Sequence, residues 1–141
     1  RFSCREVRAT GRYAMGVKGI SLRPDDQVVT GVIIPQNDAD ALCIVTKFGF
    51  GKRTLLENFK QQSRGGKGVI AMKPSDKTGL VLGAKAVSED SELIMLTSEN
   101  KIIRFSVKDV RVCSRQAQGV KLVNMVYGGE VICFDRVSQE D

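Results

Sequence analysis

The feature that most constrains this sequence is an internal repeat with a period of about 51 residues. The stretch RFSCREVR, residues 1–8, returns 103 positions later as RFSVKDVR, residues 104–111. A shift of 51 residues pairs ALCIVT, residues 41–46, with ELIMLT, residues 92–97, without a gap. A period near 50 is typical of propellers, blade arrays and solenoids, in which each unit is one supersecondary element stacked on its neighbours.

A short signature, R-x-x-x-G-V, marks three units. Its arginines are Arg12, Arg64 and Arg115, and its glycines are Gly16, Gly68 and Gly119. We place the units at about 1–40, 41–91 and 92–141, within a single domain of 141 residues. The first unit begins inside the repeat, and three units are too few to close a ring of the usual four to eight blades. The sequence therefore predicts about three blades of a longer array.

The apolar residues within a unit come in short runs separated by Gly, Asn, Asp and Pro, as in β-strands. We predict four strands per unit, a to d in chain order. They are 42–46 and 93–97 for a; 1–4, 52–56 and 102–107 for b; 17–22, 69–73 and 120–125 for c; and 28–34, 80–87 and 130–137 for d. Tight turns at Phe48-Gly49 and Glu99-Asn100 join strands a and b, since Gly and Asn tolerate positive φ.

The predicted fold class is therefore all-β, with propeller-like blades of four strands. An incomplete array leaves sheet edges and blade faces exposed, which favours self-association.

The side-chain inventory argues against catalysis. There is no histidine, which removes the commonest general base and zinc ligand. The four cysteines do not have the spacing of a metal site; they are Cys4, Cys43, Cys113 and Cys133. We expect them to serve as small apolar residues in a reducing cytoplasm. GFGKRT, residues 49–54, lacks the spacing of a phosphate-binding loop. We expect no cofactor, no metal site, no catalytic residue and, without a long apolar run, no membrane partner.

The formal net charge of +6 makes polyanions the expected partners, and duplex nucleic acid the first candidate. Basic residues recur at equivalent positions, and equivalent positions of stacked units lie on one band that a phosphate backbone can follow. The candidate DNA-binding residues are Arg1, Arg12, Lys18, Lys47, Lys52, Arg53, Lys60, Arg64, Lys67, Lys101, Arg104, Arg115 and Lys121. Phosphate contacts alone predict little sequence specificity. Two alternatives remain: ordinary solvated charges, or a protein-interaction module whose basic surface docks an acidic protein.

One loop combines glycines with basic side chains, and it consists of Gln62, Ser63, Arg64, Gly65, Gly66, Lys67 and Gly68. Its glycines permit close approach of the backbone to a partner, while Arg64 and Lys67 can meet phosphates. A tight loop between strands explains the same glycines, and both interpretations stay open.

Four motifs, in this order, resemble the C-terminal domain of the DNA gyrase A subunit: GVKGISL (16–22), GFGKRT (49–54), SRGGKGVIAMK (63–73) and RQAQGVKL (115–122). The corresponding protein of topoisomerase IV, its A subunit, shares the architecture. The resemblance implies the last three blades of a six-bladed β-pinwheel, whose blades exchange strands. Loop 62–68 is similar to the gyrase box but departs from it at Ser63 and lies in another blade.

The resemblance also implies a function. Duplex DNA would wrap around the basic outer rim and so support negative supercoiling. The implied protein partners are the rest of gyrase A and the gyrase B subunit. Neither Tyr13 nor Tyr127 lies in the motif of the nucleophilic tyrosine, so this part of a type II topoisomerase is expected to be non-catalytic.

Overall fold

The computed structural model describes residues 1–35 and 39–137. Its seven strands are β1 Ala41–Thr46, β2 Phe50–Leu55, β3 Val81–Val87, β4 Glu92–Thr97, β5 Ile102–Ser106, β6 Val120–Lys121 and β7 Val131–Val137. Three short 3-10 helices span Cys4–Glu6, Leu56–Asn58 and Val107–Asp109. No α-helix occurs in the described residues, which agrees with the predicted all-β class. None of their helical segments has the length and apolarity needed to cross a membrane.

The strands form two antiparallel sheets, in the orders β3-β1-β2-β6 and β5-β4-β7. In both sheets strand a lies between strands b and d of its own unit. Strand β6 belongs to the third unit but completes the sheet of the second, with Lys121 opposite Phe50 and Val120 opposite Gly51. A four-stranded blade is therefore made by exchange, because its fourth strand comes from the next unit.

The predictions for strands a and for the hairpin turns are confirmed. Strands β1 and β4 match the predicted strands a to within one residue at their N-terminal ends. The turn residues Gly49 and Asn100 adopt positive φ, 77° and 58°. GFGKRT lies in and after this hairpin turn rather than at the start of a helix, as expected.

Four other strand predictions are wrong. The segments 1–4, 17–22, 28–34 and 69–73 form no strand, and 120–125 is a strand only over Val120–Lys121. Strands b and d of a unit pair with its strand a, and the sequence holds no strand a for the first unit. The second unit's strand c lacks its partners for the same reason, since the first unit has no equivalents of Phe50 and Gly51. Residues 36–38 and 138–141, which end the first and third predicted units, lie outside the described residues.

Two hydrophobic cores occupy the junctions between units. The larger lies between the second and third units and contains Ala41, Cys43, Val45, Val87, Leu93, Met95, Val107, Val110, Val123, Val131 and Phe134. The smaller lies on the opposite side of β1 and contains Ile44, Phe59, Met72 and Ala84, with Val32 of the first unit packed against it. Phe59 and Met72 are the repeat equivalents of Val110 and Val123, so the two cores are the same junction built twice.

The 3-10 helices explain why the opening octapeptide returns. They begin at Cys4, Leu56 and Val107, at intervals of 52 and 51 residues. The hydroxyls of Ser3 and Ser106 accept hydrogen bonds from the backbone N–H groups of Arg5 and Lys108 and so cap two of these turns. The repeated RFS thus encodes a capped turn, and only the second copy, at the end of β5, also ends a strand.

The cysteines divide by exposure. All four are free thiols. Cys43 is buried, and desolvation raises its pKa to about 12 although Arg53 lowers it. Cys4 and Cys133 are exposed, so the expectation of apolar surroundings is wrong for these two.

Candidate nucleic-acid interface

The structure sorts the predicted DNA-binding residues by what each side chain already contacts. Arg53 is only 9% exposed, and its Nε donates a hydrogen bond of 2.7 Å to the carbonyl of Val110. Its repeat equivalent Arg1 donates from Nη1 to the carbonyl of Leu56 at 2.9 Å. Both arginines therefore bind the 3-10 region of the following unit. The acceptor Leu56 lies within the 3-10 helix of the second unit, and the acceptor Val110 directly follows that of the third.

The signature arginines join units in the opposite direction. Arg64 donates from Nη1 to the carbonyl of Lys18 at 2.5 Å, and Arg115 donates from Nη1 to the carbonyl of Ile70 at 3.0 Å. Lys18 and Ile70 occupy one repeat position, 52 residues apart. Each signature arginine thus fastens its unit to the strand-c segment of the preceding unit.

The signature glycine is also a junction residue. Gly16, Gly68 and Gly119 all adopt φ between 73° and 81°, a region that L side chains rarely enter. A Cβ at Gly119 would overlap the carbonyl oxygen of Gly51, so the two backbones touch. In the second and third units, contacts between units therefore explain the R-x-x-x-G-V signature.

Lys52 is buried and cannot reach a ligand in this structure. Its Nζ donates to the carbonyls of Ser114 at 2.8 Å and Arg115 at 2.5 Å. Desolvation lowers the pKa of its ammonium group, partly opposed by Cys113. Like the arginines above, Lys52 holds the third unit on the second.

Loop 62–68 docks on the first unit. The backbone N–H groups of Arg64 and Gly65 donate to the Glu6 carboxylate at 2.8 Å and to the Gly19 carbonyl at 2.9 Å. Ser21 donates from its backbone N–H to the Gly66 carbonyl and from its hydroxyl to the Gly65 carbonyl. A role as a tight structural loop therefore accounts for Arg64, Gly65 and Gly66, whereas Lys67 remains exposed.

Three more candidates form ion pairs at the surface. Lys101 lies 2.5 Å from Glu99 and Lys47 lies 3.9 Å from Glu130, while Arg104 pairs with Glu92. In each pair, the carboxylate offsets the positive charge that the lysine or arginine would offer to a polyanion. Exposed pairs of this kind contribute little to stability.

The side chains of the remaining five candidates are exposed and have no hydrogen-bond or ion-pair partner among the described residues. They are Arg12, Lys18, Lys60, Lys67 and Lys121.

Two exposed arginines that the sequence reasoning missed belong with Lys60. Arg8 and Arg111 lie 52 residues before and 51 residues after it, and neither side chain has a partner in the described chain. The signal was available, since Arg8 and Arg111 end the two copies of the repeated octapeptide. We call Arg8, Lys60 and Arg111 the outer column.

The described residues contain no cluster of three or more Cys, Asp or Glu side chains able to hold a metal ion. The site is defined by positive charge at repeat intervals.

A profile of the family described as "DNA gyrase C-terminal domain, beta-propeller" matches residues 1–35, 40–88 and 91–132. The chain belongs to this family. The DNA gyrase A subunit of Lawsonia intracellularis is 51% identical over 138 residues, which is 97% of the chain. The Helicobacter pylori protein (strain 26695) is 46% identical over 125 residues, or 88% of the chain. The chain spans 17% and 15% of these two proteins.

Solved structures agree with the family. A DNA gyrase A C-terminal domain superposes with a TM-score of 0.81 and 28% identity, covering 96% of the chain and 45% of that domain. A C-terminal domain of DNA topoisomerase IV gives a TM-score of 0.86 and 26% identity, covering 96% of the chain and 42% of that domain. The resemblance to the gyrase A C-terminal domain and the propeller-like fold class are confirmed.

Proposed function

We propose that this chain binds duplex DNA through its phosphates, without catalysis, and that DNA follows the outer column from unit to unit. The observation that carries the proposal is that Arg8, Lys60 and Arg111 recur at the repeat interval, and that their exposed side chains lack partners in the described chain. Charge repeated at a regular interval matches a polymer whose phosphates also repeat.

Four of the candidate residues are left out of the proposed interface because of the contacts that they make. Lys52, Arg53, Arg64 and Arg115 are committed to backbone carbonyls, so we place none of them in the interface. Arg12, Lys18, Lys67 and Lys121 stay as further proposed phosphate contacts because their side chains are exposed and unpaired among the described residues.

Family membership supports the wider role. As part of a cytoplasmic type II topoisomerase, together with the rest of gyrase A and the gyrase B subunit, the chain would wrap DNA and so support negative supercoiling. Phosphate contacts alone give little discrimination between sequences, which suits a wrapping surface. Tyr13 and Tyr127 are both fully exposed, and we assign neither a role in cleavage.

The test is the binding of two unrelated short duplexes of equal length, followed by fluorescence anisotropy across a series of salt concentrations. We expect equal affinities for both sequences and a steep, linear fall of log affinity with log salt. No binding at low salt would contradict the proposal and turn attention to an acidic protein as the partner of the basic surface. A strong preference for one sequence would contradict recognition by phosphates alone.

A further inference from the structure

Arg111, the third-unit residue of the outer column, lies on a backbone segment that the second unit holds in place. Its side chain is exposed and has no partner in the described chain. Its carbonyl accepts a hydrogen bond of 3.0 Å from the backbone N–H of Arg53, and the Arg53 carbonyl accepts one of 2.8 Å from the N–H of Cys113. These two bonds form a parallel bridge between Arg53 and Val112. The backbone around Arg111 is therefore fixed to strand β2.

The side chain of Arg53 binds the residues just before Arg111. Its Nε donates a hydrogen bond of 2.7 Å to the carbonyl of Val110, and its Nη2 lies 3.5 Å from the carbonyl of Lys108, which is a longer and weaker contact. Arg53 is largely buried, so water competes little for these bonds. Through its backbone and its side chain together, this one residue holds the segment 108–113.

Val110 sets the direction in which Arg111 points. The side chain of Val110 is fully buried in the larger core, and its backbone is extended, with φ −86° and ψ 119°. Successive side chains of an extended backbone point to opposite sides. Arg111 therefore points away from the core, and the hydrogen bonds from Arg53 keep its backbone in that position.

We propose that Arg53 is a positioning residue for DNA binding, which acts through Arg111 and does not itself contact a phosphate. A side chain that is already held in its bound position loses less conformational freedom on binding, so its contact contributes more to affinity. This inference rests on the proposed function, because it requires that Arg111 contacts a phosphate. It goes further in assigning part of the DNA affinity to a buried residue at the junction between two units.

The test compares the affinities of variants for one short duplex, by fluorescence anisotropy at low salt and well below the unfolding temperature of each variant. Arg53→Met removes the two side-chain hydrogen bonds to the segment before Arg111. Lys52→Met is the matched control, because Lys52 is the neighbouring residue on β2, is fully buried and carries the same charge. Its Nζ binds two carbonyls of the third unit that lie beyond Arg111. We expect Arg53→Met to raise Kd about threefold or more relative to Lys52→Met.

Double variants separate positioning from a general loss of stability. In the Arg111→Ala background, Arg53→Met should weaken binding no more than Lys52→Met does, because the side chain that Arg53 positions is gone. In the Lys60→Ala background, the full difference between Arg53→Met and Lys52→Met should remain. A difference that persists unchanged without the Arg111 side chain would overturn the positioning role.

Arg53→Lys provides a second, milder variant in case Arg53→Met folds poorly. It keeps the charge and the backbone bonds of residue 53, but one ammonium group cannot replace the planar fork of the guanidinium. We expect a smaller rise in Kd, which should again disappear in the Arg111→Ala background.

The single variant Arg111→Ala distinguishes failure of this inference from failure of the proposed function. If it leaves Kd and its salt dependence unchanged, the phosphate contact and the positioning role are both refuted. If it lowers the slope of log affinity against log salt by about 0.9 while Arg53→Met and Lys52→Met bind equally well, the proposed function stands and the positioning role is refuted.

Discussion

The two junctions in this chain share some hydrogen bonds between repeat-equivalent residues but differ in their cores. Gln62 N–H donates to the Arg1 carbonyl at 2.9 Å in the first junction, and Cys113 N–H donates to the Arg53 carbonyl at 2.8 Å in the second. Eleven buried residues form the core of the second junction, whereas four form that of the first. The hydrogen bonds between two units therefore need only a loop and a strand end, whereas a large core requires a strand a from each of the two units.

The largest expected difference between the junctions is at the signature glycine. Gly119→Ala should cost about 3 kcal/mol, because the new Cβ overlaps the Gly51 carbonyl and φ stays positive. Gly68→Ala should cost only about 1 kcal/mol, since its Cβ would lie 3.8 Å from the Ile20 side chain and only the strain at φ remains. Urea denaturation of both variants measures the difference. Equal losses would mean that the two junctions are equally tight.

The repeat-equivalent arginines Arg53 and Arg1 should show the next largest difference in stability. Arg53→Met leaves the carbonyl of Val110 without its donor in a buried site, and we expect it to lower the free energy of unfolding by about 2 kcal/mol. Arg1→Met removes an exposed hydrogen bond and should change stability by less than about 0.5 kcal/mol. The same denaturation series checks both variants. A loss in Arg1→Met as large as that in Arg53→Met would contradict the contrast.

Acid should weaken the third unit slightly. A hydrogen bond from Lys101 and another from the Val126 N–H lower the pKa of Glu99 below its ordinary 4.5. Folding favours the ionised form of Glu99. The stabilisation of the folded state by this carboxylate is therefore complete above pH 4.5 and is lost as the pH falls through the lowered pKa. Thermal unfolding between pH 6 and pH 3 should show a decline that is shallower in Glu99→Gln. An identical slope in the variant would refute a contribution from this carboxylate.

Much of the second and third units could be predicted from the sequence, because alternation and turn residues are local signals. Strand a and the positive φ at Gly49 and Asn100 belong to this class. The segments 17–22 and 28–34 have the same local pattern but no partner strand, and a strand without a partner leaves its backbone groups unpaired.

The candidate site was harder to predict for a related reason. Lys52 and Arg53 read as surface charges, yet both side chains turn to carbonyls that the next unit supplies. Only the docking of one unit on another decides which basic residues are buried. The outer column, by contrast, was present in the repeat itself.

The claim that exposed, unpaired charges form the DNA surface is tested most directly by two triple variants. One changes Arg8, Lys60 and Arg111 to Ala; the other changes Lys85, Lys101 and Lys108, which pair with Asp135, Glu99 and Asp90. Both remove three positive charges. If the outer column contacts phosphates, the first variant lowers the slope of log affinity against log salt by about 2.7, at roughly 0.9 per contact, and the second changes it far less. Equal slopes for the two variants would contradict the account.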